Sequence, residues 1–111
     1  MSAFGFNADV QREDQGGGVS RKILNYGGKL MMVEVTMQKG GRGAVHTHPH
    51  EQISYIAAGS FEFTVGEEKQ VVKAGDSLYV APNVAHGTLS LEDGSIVVDI
   101  FTPIREDFLK K

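Results

Sequence analysis

Glycine placement constrains this chain more than any other feature. Glycines at Gly16–Gly18, Gly27–Gly28, Gly40–Gly41 with Gly43, Gly59, Gly66, Gly75, Gly87 and Gly94 cut the sequence into short pieces. Between them lie Leu30–Met37, Gln52–Ala57, Ser60–Val65, Gln70–Lys73, Ser77–Ala81 and Ser95–Thr102, all rich in β-branched and aromatic residues. In Phe61-Glu62-Phe63-Thr64-Val65 the apolar residues share one face, and Ile96, Val98 and Ile100 form a stripe opposite Val97, Asp99 and Phe101. Period-two alternation is the signature of a strand, and glycine enters tight turns without steric cost. Many short strands joined by turns predict an all-β sandwich or barrel. The one helix candidate is a short turn over Arg105–Lys110, after Pro103.

The chain has 111 residues, of which 41% are hydrophobic, which suits a single domain with a real core. Residues 1–18 are polar and read as a flexible N-terminal arm, leaving 19–111 as the domain. Cysteine is absent, which excludes disulfides, thiolate zinc sites, iron–sulfur clusters and a cysteine nucleophile. A net charge of −3 and a pI near 5.7 argue against a nucleic-acid partner. No apolar run approaches the roughly 18 residues of a membrane span. The first ten residues lack the basic start and apolar stretch of a signal peptide, so the expected location is cytoplasmic.

Three of the four histidines lie in Val45-His46-Thr47-His48-Pro49-His50-Glu51-Gln52. Residues i and i+2 of a strand face the same side, so His46 and His48 can converge on one ion. By itself, His-x-His is a weak signal. A second segment strengthens it: Gly75-Asp76-Ser77-Leu78-Tyr79-Val80-Ala81-Pro82-Asn83-Val84-Ala85-His86 reads as a turn, an apolar strand, a turn and a histidine.

The two segments resemble the paired motifs of the cupin superfamily. Gly40 opens the first, His46 and His48 follow, and Gly59 closes it; Gly75 and His86 bound the second. With six residues between it and Gly59, the fourth ligand position falls at Gln52, not Glu51. Ala81 and Asn83 stand where the second motif has proline and glycine; asparagine tolerates left-handed backbone, so the turn survives. The resemblance implies a double-stranded β-helix, or jelly-roll barrel. It also implies one divalent transition metal (Ni, Zn, Fe, Mn or Cu) on His46, His48, Gln52 and His86. His50, beyond Pro49, is read as lying at the rim, and Glu51 as pointing away from the ion. Where the histidines do not bind metal, they would satisfy hydrogen bonds of the barrel.

Three imidazoles and an amide leave the ion's +2 charge uncompensated. Such a site attracts anions and acts as a Lewis acid, which favours polarisation of a carboxylate, enolate or carbonyl over oxygen chemistry. The last strand adds Asp99 inside an apolar stretch and Arg105 after Pro103. These two either form a salt bridge that fixes the C-terminus or supply a tuned carboxylate and a guanidinium fork to a ligand.

The segments His46–Tyr55 and Asp99–Leu109 are similar to the small pectin-degradation cupins of the KdgF family, and the likeness runs from Arg21-Lys22-Ile23-Leu24 to Leu109. That resemblance implies metal-dependent opening of 4,5-unsaturated uronates, from pectin or alginate breakdown, to 5-keto-4-deoxyuronates. It implies catalytic roles for Asp99 and Arg105 and substrate contacts from Arg105, Phe101 and Gln52. The implied ligand is a small anionic sugar, and the implied assembly a homodimer. Tyr55 and Tyr79 read as core or cavity wall. Other readings are a different metal-dependent cupin enzyme, such as a dioxygenase or sugar isomerase, or a non-catalytic ligand-binding cupin.

Overall fold

A computed structural model describes residues 3–109. After a 3-10 turn at Asn7–Asp9 come ten strands: β1 (Glu13–Gly16), β2 (Val19–Gly27), β3 (Leu30–Met37), β4 (Arg42–His46), β5 (Glu51–Ala58), β6 (Ser60–Val65), β7 (Glu68–Lys73), β8 (Ser77–Val80), β9 (His86–Ser90) and β10 (Ser95–Thr102). Helix α1 (Glu106–Leu109) follows, and Lys110 of the expected helical turn lies outside the described residues. The strands form a six-stranded sheet, β1-β2-β3-β10-β5-β8, and a four-stranded sheet, β4-β9-β6-β7. All pairings are antiparallel, and the two sheets make the expected jelly roll.

Of the expected arm, Glu13–Gly16 is an edge strand paired with β2, Glu13 opposite Arg21. The glycines divide into two kinds. Most stand at strand ends with positive φ, but Gly43 and Gly87 lie inside β4 and β9. A Cβ on Gly87 would meet Val45 Cγ2 at 2.9 Å, so this glycine permits close strand approach beside His86.

Alternation decides which face of β10 turns inward. Val97 and Phe101 are buried at 2% exposure, so the Asp99 face, and not the Ile96/Val98/Ile100 stripe, lines the interior. Met37, Ile56, Phe61, Phe63, Val72 and Val97 form an apolar core in one part of the interior. Along the same inward rows the residues then become polar: Ile56 gives way to Ser54 and Gln52 on β5, and Val97 to Asp99 on β10. The barrel is thus a packed core that opens into a polar site.

Gly59 joins β5 to β6 at φ +72°, where an added Cβ would meet Ser95 Oγ and come 2.8 Å from Ser95 Cα. Left-handed backbone costs an L-residue about 1–2 kcal/mol, before the collision with backbone. Gly59→Ala is therefore expected to destabilise the protein by more than about 2 kcal/mol, read as a lower denaturation midpoint at unchanged m-value. A midpoint equal to that of the wild type would show that this turn relaxes freely.

Candidate metal centre and ligand cavity

His46 ends β4 and His86 begins β9, and the strand register sets them directly opposite each other. His48 follows in the loop after β4, where its carbonyl accepts the Asn83 N–H at 2.8 Å. Asn83 has φ 65°, the left-handed conformation expected of it, so its turn ties the second histidine motif to the first. The imidazole centroids lie 4.4 Å apart for His46 and His86, 4.7 Å for His48 and His86, and 5.5 Å for His46 and His48. One ligand nitrogen from each falls within 4.8 Å of the others.

Hydrogen bonds at the other ring nitrogen settle what these histidines offer. Nδ1 of His46 meets the Ala44 carbonyl at 2.8 Å, Nδ1 of His86 the Val84 carbonyl at 2.9 Å, and Nδ1 of His48 the His50 carbonyl at 3.1 Å. A carbonyl only accepts, so Nδ1 of His46 and of His86 carries the proton and Nε2 a lone pair, whereas His48 has an oxygen acceptor at each ring nitrogen. Burial pushes His48 and His86 below the ordinary imidazole pKa, which favours the neutral, ligating form.

Gln52 is 4% exposed, and its Oε1 lies 3.0 Å from His48 Nε2. Its amide nitrogen donates to Ser54 Oγ at 2.9 Å and to Asp99 Oδ1 at 3.4 Å, and Ser54 Oγ donates to Asp99 Oδ1 at 2.6 Å. This relay turns the amide oxygen toward His48 Nε2. A neutral imidazole has one N–H for the two oxygens that flank His48, and a cation held between Nε2 and Oε1 would satisfy both contacts. Four neutral N and O donors fit a divalent transition metal, with one side of the set open to the cavity.

That cavity, about 310 Å³, is lined by His46, Gln52, His86, Asp99, Phe101 and Arg105 among others. It lies at the small end of the ~300–1,000 Å³ range of ligand sites and suits a single sugar. Asp99 is half-buried, and its carboxyl is pushed up to about 6, burial outweighing the opposing Ser54 hydrogen bond and the Arg105 charge. Arg105 does not pair with Asp99. Its Nε and Nη2 donate to Asp107 at 3.1 and 2.9 Å, which holds the Asp107 carboxyl below its usual range. The salt bridge that the sequence left open is absent among the described residues. Phe101 packs edge-on to His48 at 5.7 Å, with the Arg105 guanidinium 5.3 Å from its ring centre.

His50 lies outside the histidine cluster. Its Nε2 donates to the Ile104 carbonyl at 3.2 Å, and its ring stands edge-on to His48 at 5.4 Å. Glu51 points outward, as expected, and accepts a hydrogen bond from the Tyr79 hydroxyl. Tyr55 and Tyr79 are neither core nor wall: both are about half exposed on the outer sheet face, because they share parity with Ile53 and not with Gln52. Ser54 was missed by sequence reasoning. The available signal was a polar residue at an inward position of an apolar strand.

A jelly roll that brings three histidines from two motifs to one point defines the cupin superfamily, and the chain belongs to the Cupin domain family, matched over residues 33–101. Within it the chain belongs with the pectin-degradation cupins. It is 47% identical to the pectin degradation protein KdgF of Dickeya dadantii over 110 residues, 98% of this chain and 100% of that protein. The structure of KdgF from Halomonas sp. superposes with a TM-score of 0.91 at 34% identity, covering 96% of this chain and 99% of that one. An RmlC-like cupin from Shewanella frigidimarina also superposes at 0.91, with 41% identity and 97% and 96% coverage.

Proposed function

We propose that the protein opens the ring of 4,5-unsaturated uronates released in pectin or alginate breakdown, giving linear 5-keto-4-deoxyuronates. The observation that carries this reading is the Asp99 carboxyl, hydrogen-bonded by Ser54 and Gln52 and directed into the cavity that the histidine cluster lines. Ring opening removes the proton of the anomeric hydroxyl, forms the C1 carbonyl, breaks the bond from C1 to the ring oxygen and protonates C4 of the resulting enolate. A divalent ion on His46, His48, Gln52 and His86 supplies, when bound, positive charge for the developing enolate oxygen and the adjacent carboxylate.

The chain's own residues do the rest. Asp99, with its pKa near 6, has both protonation states accessible near neutrality and transfers the proton. Arg105 contacts the substrate carboxylate with the guanidinium edge that Asp107 leaves uncovered. Phe101 packs on the sugar and excludes water. In this reading residues 19–111, with strand β1 from the expected 1–18 arm, are one catalytic cupin domain, working in the cytoplasm on a small anionic sugar, without nucleic-acid or membrane partners. Pairing as a homodimer is supported by the exposed apolar outer face of Ile53, Tyr55 and Tyr79.

The test is the ultraviolet absorbance of the conjugated double bond, which should fall faster with metal-loaded protein than spontaneously; an unchanged decay refutes the reading. Arg105→Lys should raise KM roughly tenfold with a smaller change in kcat, because lysine cannot reproduce a two-point contact. An unchanged KM would remove Arg105 from substrate binding.

A further inference from the structure

Arg21 lies outside both histidine motifs, yet it lines the same cavity as Arg105. It projects from β2, and its Nε donates to Glu13 of β1 at 3.0 Å, so a carboxylate anchors it as Asp107 anchors Arg105. The Arg21 guanidinium carbon lies 4.0 Å from the Phe108 ring centre and that of Arg105 4.3 Å. Both guanidiniums thus pack on one aromatic ring, which orients them at the same wall of the cavity.

The open edge of Arg21 carries the argument. Its side chain is 19% exposed, and its Nη1 and Nη2 make no hydrogen bond to any described residue. A guanidinium held in place by Glu13 and Phe108, with its terminal nitrogens open on the wall of a ligand cavity, is positioned to take an anion. We propose that Arg21 is a second sugar-acid-binding residue, gripping the substrate's carboxylate together with Arg105 and so selecting acid sugars over neutral ones. The inference rests on the uronate reading given above. It adds a cation from the N-terminal hairpin, which makes β1 and β2 part of the binding site as well as of the sheet.

Calorimetric titration of the metal-loaded protein with D-galacturonate, and in parallel with D-galactose, tests this without turnover. Arg21→Gln should weaken galacturonate about tenfold and leave galactose unchanged, with Arg21→Lys in between because it keeps the charge but not the fork. Thermal melts of the three proteins should agree within a few degrees. Equal galacturonate affinity in Arg21→Gln and wild type, no galacturonate binding by the wild type, or an equal loss for both sugars would overturn the proposal. If galacturonate discrimination depends on Arg21 while the wild type fails to speed absorbance loss, the acid-sugar site stands and the ring-opening reading falls.

Discussion

Asp99→Asn is expected to lower kcat by about 10²–10⁴-fold, the range that a positioned proton-transfer group contributes. Asparagine keeps the shape and still accepts from Ser54 and Gln52 through its amide oxygen, so the relay that orients Gln52 is preserved. Metal content should therefore match that of the wild type. That separates lost chemistry from a lost metal site. Near-normal turnover with metal retained would take Asp99 out of the reaction. Loss of metal together with turnover would show that the carboxyl acts by organising Gln52.

Removing the metal is expected to have the largest effect of all. His86→Ala, or chelation of the wild type, should reduce absorbance loss to the spontaneous rate, and restoring a divalent ion should rescue the chelated wild type but not the variant. His86 is 4% exposed and faces His46 from the neighbouring strand of the same sheet, and no other described His, Cys, Asp or Glu joins the cluster to replace its Nε2. Stability should respond as well. A ligand present at 100 times its Kd stabilises the folded state by about 2.7 kcal/mol, a melting shift on the order of 10 °C for a domain of this size. A chelated protein with unchanged rate and melting temperature would contradict a metal at the three histidines.

Both predictions depend on how four distant segments meet, and the sequence shows that meeting unevenly. The strands that alternate cleanly, Leu30–Met37, Ser60–Val65 and Ser95–Thr102, are recovered with the bounds expected for them. Strands β2, β4 and β9 were not legible. Most of β2 is half-buried without alternation, because it lies near a sheet edge, while β4 and β9 carry Gly43 and Gly87 inside their spans, where glycine reads as a turn. The histidine positions follow from motif spacing, and the left-handed Asn83 follows from its chemistry. Ser54 and Arg21 do not. Ser54 meets Asp99 only because β5 pairs with β10 in that register, and Arg21 faces Phe108 only because the two chain ends pack together. Sequence patterns carry the face a residue takes, but not the register that selects its partner.

The measurement closest to the central claim follows the product itself. A proton NMR time course of 4,5-unsaturated galacturonate, with metal-loaded protein at catalytic concentration and without protein, reads the vinylic C4 proton and the C4 methylene of the linear ketone. The account predicts that the protein accelerates loss of the vinylic signal and gain of the methylene signal in step, and that Asp99→Asn does not. Equal time courses with and without wild-type protein would contradict it.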